Sequence, residues 1–233
     1  MFCLTIDLDW AHHDVIADTL DLVDRHDIKA TWFVTHDTPA LGTIRAAHGH
    51  ELGLHPNFNP LLDGQVGVAR DILKDLLDIV PEARSIRSHS LVRSSRLATT
   101  FRGYGLTHES NVLVPPRASR RLPVWRDFSG LVQVPIRWED DVRLIDATLG
   151  EPAAHLGSIT PLIVNFHPIH VFLNTCTIED YEATRSDARD PTRLLQRRRP
   201  PGSGGTRDRL LTLLAAIKAS GHPTKRLGDF TPE

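Results

Sequence analysis

The chain has 233 residues, 40% hydrophobic and 24% charged, with a formal net charge of −2. That length and balance describe one soluble globular domain with a proper core, residues 1–233, and exclude a general attraction to nucleic acid or anionic membrane. The two cysteines, Cys3 and Cys176, have no zinc-finger or redox spacing, and no apolar run approaches the ~20 residues of a membrane span. A β-type run begins at Phe2 and leaves no room for a secretory signal, so a cytoplasmic location without stable membrane insertion is expected.

Taken in order, Phe2 to Asp9 is a strand that turns acidic at its end. Val15 to His26 has helical spacing of apolar residues. Ala30 to Thr35 is a second buried strand. A poorly patterned stretch from Ala40 to His48 leads to a third, Glu51 to Leu54. Gly64 to Val80 is an amphipathic helix with Val68, Ile72, Leu73, Leu76, Leu77 and Val80 on one stripe, stopped by Pro81. Ser85 to Ser90 is a fourth strand. Ser94 or Ser95 caps a helix that runs to Arg102. Leu106 to Glu109 is a fifth strand, Val112 to Asp127 a long Pro- and Arg-rich loop, and Leu131 to Trp138 a sixth strand. Leu162 to Phe166 is a seventh, followed by His167-Pro168. The composition of Thr184 to Arg207 predicts a flexible insertion, with Arg197 to Arg199 a solvated loop rather than a nucleic-acid patch. Arg207 to Ala219 is a final helix closed by Gly221, and Thr224 to Leu227 a last strand.

Strands alternating with helices predict an α/β fold with a parallel sheet, and near-continuous apolar strands agree, since parallel strands are buried on both faces. Polar residues fall at successive strand ends: Asp7 and Asp9, His36, His55, Arg87 and His89, Glu109, Glu139 to Asp141, and His167. In a β/α barrel those ends form one rim, where active sites sit.

The rim residues suit metal-assisted chemistry. Asp7 and Asp9 are two apart on a strand, so both carboxylates point to one side. One can bind a metal while the other acts as base; either can instead cap the following loop. If Pro56 opens a helical turn, His55 and Asn59 lie four apart on one face and supply two further ligands. The alternative is a His and an Asn that hydrogen-bond a loop. Asp, His and an amide can hold a divalent ion with open positions for water and substrate. His167 can serve as general acid and Arg87 can hold a carboxylate in a bidentate pair.

TIDLDW, GHELGLHPNFN, SIRSHS and VNFHPIH resemble, in the right order, the motifs of the polysaccharide deacetylases (carbohydrate esterase family 4), and DIKATWFV is similar to the strand after that family's first helix. The resemblance covers roughly Phe2 to Phe172 and looks closest to members found with O-antigen and other surface-polysaccharide genes. It implies a distorted parallel (β/α)7-type barrel, Asp7 as base, and Asp9 with His55 and Asn59 as metal ligands. Because Leu8 splits the acidic pair, the roles of Asp7 and Asp9 can be exchanged. Arg87 matches the third motif and His167 the fifth, while Trp138 with Asp140 or Asp141 matches the fourth loosely. His89 and Ser90 stand where the third motif has a Pro-Tyr pair.

The expected activity is metal-dependent removal of an N-acyl group, most simply acetyl, from an amino sugar, nucleotide- or lipid-linked. The expected ion is zinc, with Mn, Co, Ni and Mg as alternatives; an amide in place of one imidazole favours harder ions. A metal-free amidase on the same fold and a non-catalytic carbohydrate-binding protein remain open.

Overall fold

The computed structural model describes residues 1–64 and 67–232. Its strands are β1 (Phe2–Asp7), β2 (Ala30–Val34), β3 (Glu51–Leu54), β4 (Ser85–Ile86), β5 (His108–Glu109), β6 (Trp125–Arg126), β7 (Val132–Gln133), β8 (Trp138–Glu139) and β9 (Leu162–Phe166). The helices are α1 (His13–Arg25), α2 (Ala40–Ala46), α3 (Asn59–Leu62), α4 (Ala69–Ile79), α5 (Ser95–Gly103), α6 (Asp140–Ile145), α7 (Pro168–Leu173), α8 (Ile178–Glu182), α9 (Pro191–Arg197) and α10 (Thr206–Ser220). The strands form one sheet in the order β6-β7-β5-β4-β3-β2-β1-β9-β8, parallel throughout except for the β6–β7 pair.

The sheet curls into the expected distorted barrel. The segment from Leu131 to Trp138, read as one strand, bends at Pro135 into β7 and β8. Its first half pairs with β5, Ile136 bonds Val112 and Val114, and Trp138 pairs with Val164 of β9. One bent segment thus bridges the two sides of the sheet. Pro135 suits the bend because it has no N–H to give to a ladder.

Alternation along the strands separates two apolar regions. Leu4 and Ile6 of β1, Trp32 and Val34 of β2, and Val164 and Phe166 of β9 join the large core beneath the helices. Their neighbours face the barrel interior in layers. Cys3, Phe33, Ile163, Val132 and Val134 form an apolar plug with Leu227 and Phe230 of the C-terminal tail. Thr5, Asn165 and Arg87 form a polar layer above it, joined by hydrogen bonds. Asp7 and His167 are one step higher.

Gly53 belongs to this packing. A Cβ there would meet the Phe33 ring at 2.8 Å and the Ser85 carbonyl at 2.9 Å. The missing side chain leaves room for Phe33, whose ring carries the Arg87 guanidinium 4.5 Å from its centre.

Several elements differ from expectation. The strand at Ser85 shortens to two residues and passes into a 3₁₀ turn, His89–Leu91. Helix α2 occupies the poorly patterned stretch, with Ala40, Leu41 and Ile44 buried, and β6 lies within the 112–127 loop. The expected helix from Gly64 starts at Ala69; Gln65 and Val66 lie outside the described residues. The last strand reduces to a bridge from Thr224 to Phe2. The 184–207 stretch carries α9 with Leu194 buried, and its arginines pair with carboxylates: Arg197 with Asp187, Arg198 with Asp18 and Arg199 with Asp180. Gly221 closes α10 in the left-handed conformation as expected. Among the described residues, no helix is long and apolar enough to cross a membrane.

Candidate active site

A cavity of about 220 Å³ opens at the C-terminal ends of the strands, lined by Asp7, Asp9, His55, Ser88, His89, Ser90, Leu91, Glu139, Asp141 and His167. Larger surface grooves exist, up to about 890 Å³ beside α3 to α5, but the rim's acids and imidazoles gather here.

Asp7, the last residue of β1, is 2% exposed. Its Oδ1 accepts from Arg87 Nη1 at 2.9 Å, and its Oδ2 from Asn165 Nδ2 at 2.9 Å. Arg87 also donates to Thr5, to the Asn165 carbonyl oxygen and to Ser110. The carboxylate is therefore clamped from two sides by groups that are themselves fixed.

Asp9 reaches the same cavity by a different route from the one expected. β1 ends at Asp7, and Leu8 to Ala11 forms a turn closed by the Ala11 N–H donating to the Leu8 carbonyl at 2.9 Å. Asp9 and Trp10 are its central residues, both left-handed at φ 42° and 56°, the type I′ arrangement. The turn, rather than strand alternation, aims Asp9 inward.

Asp9 Oδ1 lies 3.1 Å from His55 Nε2 and 3.3 Å from His89 Nδ1. It is buried, yet meets neither nitrogen in hydrogen-bonding geometry. Burial by itself would raise this carboxyl, but the two imidazoles and the charge of His167 outweigh it and hold Asp9 well below the usual carboxylate range. A buried acceptor without a donor, faced by two ring nitrogens, is the pattern of ligands converging on a cation. The donor set of one carboxylate and two imidazoles fits a divalent ion, with positions to spare.

Asn59 meets the site through Ser90, which lines the cavity. The expected pairing with His55 required a helical turn from Pro56, but Pro56 to Phe58 is irregular and α3 begins only at Asn59. Asn59 instead donates its amide to the Ser90 hydroxyl at 3.0 Å and supports the turn that carries His89.

His167 Nε2 lies 3.9 Å from Asp7 and 3.7 Å from Asp9. Its Nδ1 lies 2.7 Å from Asp140, which also accepts the His167 backbone N–H at 2.9 Å. Burial would lower this imidazole, but Asp141 and Asp140 outweigh it and raise His167 well above its usual value. Asp141 in turn lies 2.7 Å from His170 Nε2. Glu139, buried against the Asn165 amide at 3.0 Å, is pushed up by burial to about 7. Of the other rim residues, Glu109 turns away to bond Asn111 and Gln133, and His36 contacts Thr35.

The sequence reading missed the roles of His89 and Asn165. His89 sits in a stretch with strand-like composition, where a turn was not foreseen. Asn165 was detectable: a lone amide within LIVNF is a buried polar group that needs partners.

A model of the WbmS-like polysaccharide deacetylases matches residues 4–185. The chain belongs to that family. A crystal structure of a candidate polysaccharide deacetylase of O-antigen biosynthesis from Bordetella bronchiseptica is 39% identical, covers 92% of this chain and 89% of its own, and superposes with a TM-score of 0.84. The polysaccharide deacetylase Bc1974 from Bacillus cereus (15% identity, 97% and 91% coverage, TM-score 0.51) and a mutant CE4 family pseudoenzyme of Bacillus anthracis (17%, 98% and 66%, TM-score 0.51) share the fold. A search of curated proteins finds no match.

Proposed function

We propose that this WbmS-like protein is a metal-dependent deacetylase that hydrolyses the N-acyl group, in the simplest case acetyl, of an amino sugar in a surface polysaccharide or its precursor. Membership of the family and the O-antigen context of the Bordetella protein support the reaction class and the substrate. The observation that carries metal dependence is the buried Asp9 Oδ1, unpaired between His55 and His89.

Asp9, His55 and His89 would hold the ion. When bound, it supplies Lewis-acid polarisation of an amide carbonyl and of water. Asp7, held by Arg87 and Asn165, takes the proton from the attacking water. Its clamped carboxylate suits a base, and the unpaired Asp9 suits a ligand, which favours this order over the exchanged one. His167, charged and braced at Nδ1 by Asp140, gives its Nε2 proton to the departing amine. The His89 and Leu91 N–H groups donate to the Pro56 and Ser88 carbonyls. The Ser90 N–H between them is left to stabilise the oxyanion.

Asp7→Asn tests the reading. The amide keeps the Arg87 contact but cannot accept the proton, so acetate release from N-acetylated sugars should fall about 10²–10⁴-fold while bound metal, measured by elemental analysis, stays equal. Equal acetate release by the two proteins, or none from the metal-loaded wild type, overturns it.

A further inference from the structure

We propose that Trp10 is the sugar-binding platform of the site, with Leu91 as its apolar partner against the acyl group. The inference rests on the deacetylase reading for the identity of its ligand, but its origin is the backbone. Position 10 is the second central residue of a type I′ turn, where glycine is preferred because φ is positive. A bulky side chain there is an outlier that costs conformational free energy. Trp10 is also 48% exposed, so about half of the indole is left open to solvent. The turn needs Asp at position 9 to face the cavity; nothing in the packing needs an indole next to it.

The indole is nevertheless held in place. The Trp10 backbone N–H donates to Thr35 Oγ1 at 3.0 Å and anchors the turn. Its ring meets the His89 ring edge-on, with centres 5.2 Å apart. It therefore stands beside one of the proposed ligands, next to Asp9 and His89 of the cavity lining. The turn that carries His89 repeats the device. Ser90 and Leu91 are left-handed at φ 56° and 54°, and the Val92 N–H closes on the His89 carbonyl at 3.5 Å. Leu91 is the one apolar side chain lining the cavity. Two strained turns thus each carry an apolar residue beside His89, and strain of this kind collects at binding sites.

The chemistry is that of a pyranose. An aromatic face packs against the axial C–H face of a sugar ring, while the polar cavity takes the amide; Leu91 fits a short acyl group. A cavity of about 220 Å³ has no room for a long one.

The test is Trp10→Gly. Glycine suits the positive φ of the turn, so the variant should stay folded with a cooperative melting transition. Binding is measured by calorimetry in the metal-loaded Asp7→Asn background, with N-acetylglucosamine, N-acetylgalactosamine, tri-N-acetylchitotriose and a nucleotide-linked N-acetylglucosamine as probes. The best-bound probe should weaken about tenfold or more on Trp10→Gly, and Trp10→Phe should restore most of the affinity. In the active enzyme the loss should fall on KM more than on kcat. Unchanged affinity for Trp10→Gly, no recovery in Trp10→Phe, or no binding of any probe by the parent overturns the platform. Absence of acetate release by the wild type strikes the deacetylase reading instead, and leaves the binding comparison standing.

Discussion

Asp9 and Asp7 carry the same side chain two positions apart, and their surroundings give them opposite characters. Asp7 has each carboxylate oxygen engaged by a fixed donor, whereas Asp9 Oδ1 has none and faces two imidazoles. Metal affinity should follow the second pattern. His89→Ala should cost more than the ~10–100-fold typical of losing an outer partner, while Asn59→Ala should change zinc affinity by less than that. Competition titration against a chelating dye reads both, and equal losses would return Asn59 to the ligand set. Glu139 provides a pH readout. Its folded-state value of about 7 lies above the usual 4.5, so the folded protein holds this proton more tightly than the unfolded chain does. The resulting stability is fully present below about pH 4.5 and is lost as pH rises through 7, a contribution of about 3 kcal/mol. Glu139→Gln keeps the acceptor for Asn165 and cannot ionise. In chelator-treated protein it should be more stable than wild type at pH 8, with the gap closing toward pH 4.5. A gap independent of pH in denaturant titrations would contradict the burial of this carboxyl.

At the scale of elements, strand β3 shows how packing decides what a short apolar run can hold. Glu51 to Leu54 was legible as a strand from its composition and flanking glycine. The need for glycine at position 53 was not, because it comes from Phe33 across the β2–β3 pair and from Ser85 across the β3–β4 pair. Gly53→Ala should cost roughly 1–3 kcal/mol by overpacking, measured by chemical denaturation. It should also disturb the Phe33 ring on which Arg87 rests, so metal-dependent activity should fall with stability. A neutral substitution would show that Phe33 has room to move. Helix α3 gives the complementary case. His55 and Asn59 are four apart in sequence, but the helix starts at Asn59, so helical spacing does not relate the two.

For the whole molecule, Arg87 joins the barrel's interior. From β4's end it bonds Thr5 and Asp7 on β1, Asn165 on β9 and Ser110 after β5. Arg87→Met fills similar volume but strands a buried carboxylate, so unfolding free energy should drop by about 3–5 kcal/mol. Arg87→Met combined with Asp7→Asn should recover much of it, and a double mutant no better than the single would show that the two groups are not coupled. Local information in the chain determined much of this architecture: apolar runs of strand length, the stripes of α1 and α4, and acids and histidines at strand ends are all properties of neighbouring residues. They were enough to place Asp7, Asp9, His55, Arg87 and His167 on one rim. What only the tertiary structure decided is which groups meet. Two left-handed turns aim Asp9 and His89, and a bent strand closes the sheet around Asn165. Those outcomes depend on backbone reversals and on partners more than a hundred residues apart, and no window of sequence carries the distance between them.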